Sequence, residues 1–341
     1  MQLDKLFINR TTALEGVFSK KTNKLYPSTL NALLDNNNIK DLSVSWEPVR
    51  DWTKGRTLDN ISTLAVERLQ ELRDTYKHLQ LSWGGGYDSS YILHVATENK
   101  IPFDSIVMYG INNIEDPHPY NLEHFNNKWY VDQYIKKFPS TTIRHVNLLD
   151  MVPLASQHKD YDLWASGCYG QWDDVLMFYA DNVLPERQEQ GTAVIVGSGF
   201  KQVVYNAEHK LWSLLINSVN LNCATPGSLE CDTIRFYETP CMVNSIAHMA
   251  TKYNRTLSLN ELQRLVIYKD QLPKPIWHIP KETQDWKQHP KMNWYTQGQY
   301  TLYNEFIEAM NNKIDPVNWK SEEGFIDGWK DFPKIIDFYK E

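Results

Sequence analysis

Leu81-Ser82-Trp83-Gly84-Gly85-Gly86-Tyr87-Asp88-Ser89-Ser90-Tyr91-Ile92-Leu93 is the stretch whose reading decides the fold. An apolar run ends in three glycines. An acid, two hydroxyls and a helix-like apolar pattern follow. Glycines allow positive φ and a close approach to bare main chain. The N–H groups of such a loop, and of the helical turn after it, have no partners inside the helix and point one way. They make an anion site suited to phosphate. Ser89 and Ser90 can add hydroxyl donors. Asp88 would repel phosphate unless a cation such as Mg²⁺ lies between them. The competing reading is structural: Asp88 or Ser89 caps the helix, and the glycines make a tight turn. A cap needs one such residue, not three glycines and three polar groups. On the ligand reading, Gly85→Val should abolish binding by putting a Cβ in the way.

Working outward, residues 58–79 predict a helix, with Ile61, Leu64, Leu69, Leu72 and Tyr76 near one face. His78 to Trp83 follows as a first strand and Ser89 to Asn99 as a helix. The next elements are a strand at 104–109, a helix at 123–138, a strand at 142–148, a helix at 173–188 and a strand at 193–197. This alternation implies an α/β fold: a doubly wound parallel sheet of about five strands, with right-handed crossovers. Ligands in such sheets bind beyond the carboxyl ends of the strands. Both the triple glycine and Gly197-Ser198-Gly199 fall there. Residues 1–57 read as an N-terminal extension, with helices and loops up to about residue 45, and residues 58–244 as the α/β domain. Residues 245–341 read as a helical C-terminal lobe, with helical patterns at 259–269 and 300–311.

Composition narrows the class. The chain has 341 residues, 42% of them hydrophobic, and a formal net charge of −7. It is long enough for one large domain or two. The acidic balance and the lack of a Lys/Arg block argue against nucleic-acid binding as its main role. No apolar run approaches the ~18–20 residues of a membrane helix, and the start lacks a signal-peptide pattern. Cys168, Cys223, Cys231 and Cys241 form no Cys-x-x-Cys pair, which reads as reduced thiols in a cytoplasmic protein rather than a zinc site.

Of two familiar phosphate motifs, one fails and the other, nearly matched by Gly84, Gly86 and Ser89, is weak. Walker A requires Lys and Ser/Thr after its last glycine, but Tyr87 and Asp88 follow Gly86. The dinucleotide fingerprint wants an acid at the tip of the next strand, and that strand ends in Gly110. The stretch instead resembles the PP-loop of the ATP pyrophosphatases, Ser-Gly-Gly-x-Asp-Ser-Ser, with Gly84 replacing the leading Ser. Within that superfamily the chain is most similar to the synthetase domain of asparagine synthetases and β-lactam synthetases. Trp46-Glu47-Pro48 resembles the Tyr-Trp-x-Pro entry to that domain, and Leu64 to Leu72 its leading helix. Gly197-Ser198-Gly199 stands where the family has Gly-Glu-Gly-x-Asp-Glu. The resemblance covers about residues 45–290.

The resemblance implies an adenine nucleotide alpha hydrolase-like fold, with ATP and Mg²⁺ as cofactors. The activity it implies is that of an AMP-forming carbon–nitrogen ligase. A small carboxylate is adenylated with release of pyrophosphate, and ammonia or an amine then displaces AMP. Gly84, Gly85, Gly86, Ser89 and Ser90 would hold pyrophosphate, Asp88 would hold the metal, and backbone groups of Val107, Met108 and Tyr109 would meet adenine. Ser198 and Gly199 would line the site from the second loop. Two departures stand out. The family's metal-binding Asp is here Lys201, followed by Gln202, and a Lys cannot ligate Mg²⁺. It can place positive charge on the leaving pyrophosphate. A glutaminase ahead of the synthetase domain, with its nucleophilic Cys, has no counterpart around Gln2, so the expected amine source is free ammonia, an amine substrate or a separate donor. Lys281, ahead of Lys274, is the candidate for the family's late catalytic lysine, with His278 beside it as a possible base. Asp173 and Asp174 could contact substrate or simply begin a helix. A nucleobase- or tRNA-modifying PP-loop enzyme, and a non-catalytic nucleotide-binding protein, stay open as alternatives.

Overall fold

The first long helix shows how this sequence builds its core. In α1, Ile61–Thr75, buried Ile61, Leu64, Ala65, Leu69 and Leu72 recur at helical spacing. Asn60 caps it, its side-chain oxygen accepting from Ser62 N at 2.7 Å. At the other end Arg73 donates to the carbonyls of Tyr76 and Lys77 and to Asp104 Oδ2, which also accepts from Leu79 N. That knot carries the chain from α1 into β4, His78–Ser82, and onto the neighbouring strand. Burial pushes the Asp104 carboxyl up, but the hydrogen bonds from Arg73 and Leu79 and the Arg73 charge outweigh it, so Asp104 lies below its ordinary value.

The computed structural model describes residues 16–26, 42–45, 56–58, 60–113, 121–156, 191–197, 203–206, 211–216, 231–237, 239–252, 272–277 and 334–340. After β4 come α2 (Tyr87–Glu98), β5 (Ser105–Gly110), α3 (Leu122–Asn127), α4 (Trp129–Lys137), β6 (Thr142–Asn147) and α5 (Leu148–Ser156). β7 (Thr192–Val196), β10 (Cys231–Arg235) and α6 (Pro240–Lys252) follow along the chain. β10, β7, β4, β5 and β6 form one sheet in that order, with every pairing parallel. The fold is therefore α/β. Leu79, Gln80 and Leu81 of β4 are all buried, as expected for a central parallel strand covered on both faces. Strands β4, β5 and β6 run outward in sequence order, and β7 then returns to the other side of β4. The strand order reverses between β4 and β7, and glycine follows each strand there, Gly84 after Trp83 and Gly197 directly after Val196.

Differences from the sequence reading have local causes. The N-terminal segment contains strands: β1 (Gly16–Ser19), β2 (Lys24–Tyr26) and β3 (Leu42–Ser45) make an antiparallel sheet. Three or four residues are too few for a period-2 pattern to register. Asn23, at φ 55°, makes the β1–β2 turn, and its N–H donates to Ser19 O. The fifth parallel strand, β10, is an edge strand of mixed polarity, Cys-Asp-Thr-Ile-Arg. The helix expected at 123–138 is divided at Lys128. α6 spans the boundary expected at 244/245, and the C-terminal segment includes a strand, β11 (Lys334–Lys340). It pairs antiparallel with β9 (Leu211–Ile216), which pairs with β8 (Val203–Asn206). The helices expected at 173–188, 259–269 and 300–311 lie outside the described residues. No described helix is long and apolar enough to cross a membrane.

Candidate functional site

The glycine loop leaves the carboxyl end of β4 and enters α2 with Gly86 as the N-cap residue. No side chain caps this end, so Asp88 and Ser89 do not serve as the N-cap. Asp88, half-buried in the first turn, suits the helix dipole. The three glycines have different reasons to be glycine. Gly84 has open space where a Cβ would be. Gly85 has φ +76°, and a Cβ there would lie 2.5–2.6 Å from the backbone of Glu123 and His124. The loop is thus pressed against the start of α3. This corrects the expected reason for Gly85: a side chain there would strike the protein's own backbone before any ligand. Gly86 faces the Glu123 carboxylate, 3.8 Å from its Cβ position.

Ser89 Oγ accepts from Gly84 N at 3.2 Å, leaving its own proton to donate elsewhere. Ser90 is wholly buried. Its hydroxyl accepts from Trp83 Nε1 at 3.1 Å and faces Gly85 O at 3.5 Å. The expectation that the Ser90 hydroxyl meets phosphate is therefore corrected: it is an internal strut of the loop. Of the second glycine segment, Gly197 is described. A Cβ on Gly197, just past β7, would lie 2.8 Å from Ser89 N and 3.0 Å from Asp88 Cβ. Tyr237, after β10, donates to Asp88 O at 2.8 Å. The ends of β4, β7 and β10 thus converge on one turn of α2. Ser198, Gly199, Lys201, Gln202, His278, Lys281, Asp173 and Asp174 lie outside the described residues.

On β5, Val107, Met108 and Tyr109 are buried. Val107 O already accepts from Trp83 N at 2.9 Å. Backbone groups alternate sides along a strand, so Met108 turns its pair toward β6. Tyr109 lies past the paired end of β4, on the side of the loop. Of the three expected adenine contacts, Tyr109 is the one nearest the loop end of β5. A cavity of about 800 Å³ reaches Trp83, the residue before the loop, although Gly84–Ser90 do not line it. Trp83, just past β4, lines it with Met108 of β5 and His145 of β6, and Val131, Ile135 and Lys136 line it from α4. Its size and apolar lining suit a small organic ligand.

Sequence reasoning missed the residues of α3. Asn121, fully buried, holds Ile111 by both backbone groups, at 2.9 and 2.8 Å, and so fixes where α3 begins. His124 Nε2 meets Trp83 O at 2.9 Å, which assigns the proton to Nε2. Asn127 Nδ2 donates to Gly85 O at 2.8 Å and to Trp277 O at 2.9 Å, and its Oδ1 accepts from Trp277 N at 2.8 Å. The segment 272–277 is also held by Tyr130, which donates to Lys274 O, and Lys274 Nζ lies 4.5 Å over the Trp129 ring. Nothing in the local sequence marks Asn127, one of several asparagines in Asn121-Leu-Glu-His-Phe-Asn126-Asn127. Among the described residues, no group of three or more His, Cys, Asp and Glu is placed to hold a metal. Compared with known proteins, the chain matches no family model and no curated protein.

Proposed function

We propose that the chain binds ATP at the glycine loop and acts as an AMP-forming ligase on a carboxylate. The observation that carries this reading is the convergence of Gly84–Gly86 and Gly197 at the point where strand order reverses, over the first turn of α2. A doubly wound sheet binds ligands at that point, and a helix start supplies N–H groups for phosphate. The open space before Gly84 lets phosphate approach the backbone, and the cavity bounded by Trp83 is wide enough for adenosine. On this reading the sheet belongs to the adenine nucleotide alpha hydrolase class, with a helix-containing C-terminal lobe beside the site.

The carboxylate oxygen attacks the α-phosphorus, and the bond to the β-phosphate oxygen breaks. Pyrophosphate leaves, and an amine or ammonia, free or from a separate donor, then displaces AMP. The protein's share is position and charge. Ser89 and the loop N–H groups beyond Gly84 hold phosphate oxygens, and the end of β5 at Tyr109 lies on the side of adenine. Asp88 is the carboxylate that would hold Mg²⁺, which neutralises phosphate charge when bound. The segment 272–277 is tied to the loop, and Lys281 follows four residues after Trp277. That neighbourhood favours Lys281 as the cation at the α-phosphate, with Lys201 at the leaving pyrophosphate.

The test is incubation with ATP, Mg²⁺ and a metabolite pool, assaying pyrophosphate against phosphate. Pool-dependent pyrophosphate supports the ligase. Lys201-Gln202, in place of the family's acids, favours a second reading: a nucleotide-binding protein without chemistry. That reading gains if ATP binds and no pyrophosphate appears.

A further inference from the structure

Asn127 is buried, with 3% of its surface exposed, yet it spends three hydrogen bonds on two distant backbone segments. One is Gly85 O, in the glycine loop. The others are both backbone groups of Trp277. The carbonyl and N–H of one trans peptide point in opposite directions. By drawing Gly85 O inward, Asn127 turns the N–H of Gly86 outward, to the side away from α3. Gly85 can accept this orientation because its φ is +76°. We infer that Asn127 is a positioning residue: it aims the Gly86 N–H at a phosphate and links the anion affinity of the loop to the seating of residues 272–277.

The inference rests on the loop being an anion site, but the link it describes stands on the hydrogen bonds alone. Tyr130 holds the same segment through Lys274 O without touching the glycine loop, and Tyr87, the residue after Gly86, reaches Ile276 O only at 3.5 Å. Asn127 alone, among the described side chains, bonds both Gly85 O and residues 272–277. Coupling through one side chain must be reciprocal. Anion binding at the loop steadies 272–277, and loosening 272–277 weakens anion binding.

The experiment uses the full chain, inorganic pyrophosphate with Mg²⁺ as probe, and Asn127→Ala, Asn127→Ser and Tyr130→Phe. Amide hydrogen exchange is followed at residues 84–90 and 272–277, with affinity from titration. In the parent protein, pyrophosphate should slow exchange in both segments. In the Asn127 variants affinity should fall about tenfold, the equivalent of one net hydrogen bond. At saturating pyrophosphate, residues 84–90 should still respond while Trp277 N–H no longer does. Tyr130→Phe should leave that response in place. A merely structural role would speed exchange without uncoupling the two segments, and that result overturns the inference. So does an unchanged affinity. If the parent protein does not bind pyrophosphate, the anion-site reading fails, and the inference that Asn127 aims an N–H at phosphate fails with it. The hydrogen-bonded link is then judged without ligand: Trp277 N–H should exchange about tenfold faster in the Asn127 variants than in the parent. Should Asn127→Ala not fold, Asn127→Ser, which is too short to bridge Gly85 O and Trp277, gives the same comparison.

Discussion

Gly84 and Gly85 are adjacent, yet replacing each by alanine should have opposite consequences. At Gly85 the new Cβ would meet Glu123 C at 2.5 Å, Glu123 O at 2.6 Å and His124 N at 2.6 Å. All three are backbone atoms, so no side chain can rotate out of the way. Overpacking of this kind costs roughly 1–3 kcal/mol. Holding alanine at φ +76° adds about 1–2 kcal/mol. Together, Gly85→Ala should lose about 2–5 kcal/mol, a large part of the ~5–15 kcal/mol that holds a domain folded. Gly84→Ala meets nothing within 4 Å and needs no positive φ, so it should stay within about 0.5 kcal/mol of the parent. Urea unfolding of the two variants measures the difference. With a slope of about 3 kcal/mol per molar, Gly85→Ala should lower the midpoint by roughly 1 M or more and Gly84→Ala hardly at all. Equal midpoints would mean that Gly85 is not pressed against α3, and the packing argument would be wrong. The pair also separates stability from binding. Gly84→Val should fold, and should weaken ATP binding because its side chain fills the space through which phosphate approaches.

Gly197→Ala puts a Cβ 2.8 Å from Ser89 N. It should push the end of β7 away from α2, costing about 1–3 kcal/mol and weakening nucleotide binding, both readable in one thermal-shift titration. Asp104 titrates below its ordinary value in the folded protein. Its contribution is therefore fully present above the unfolded pKa of about 3.9 and lost as pH falls through the lower folded value. Between pH 4 and 2 the parent should lose more stability than Asp104→Asn, and parallel acid-unfolding curves would refute that. Lys201→Ala should sharply reduce pyrophosphate release if Lys201 stabilises the leaving group; unchanged turnover would mark it as a solvated loop charge.

Much of the central architecture was legible because it is local. The apolar run at 78–82, the glycines after it and the helix pattern beyond act within a few residues of one another, through turn chemistry and helix periodicity. The alternation of strands and helices then implied a parallel sheet, and β4, β5, β6 and β7 form close to the expected positions. Edge elements were less legible: β10 and the three N-terminal strands are short or mixed in polarity, so their pairing comes from neighbours rather than from their own pattern. The detail of the site was decided only by the assembled fold. Asn127 reaches Gly85 across 42 residues and Trp277 across 150, and no local preference of an asparagine on a polar helix points to either. Ser90 faces inward because Trp83 Nε1 needs an acceptor in the core, and Gly85 must be glycine because α3 packs on it. Sequence alone set which backbone would turn and where. Which groups the turn would face depended on helices placed by long-range packing, because a hydrogen bond or a van der Waals contact acts only across the few ångströms that folding creates.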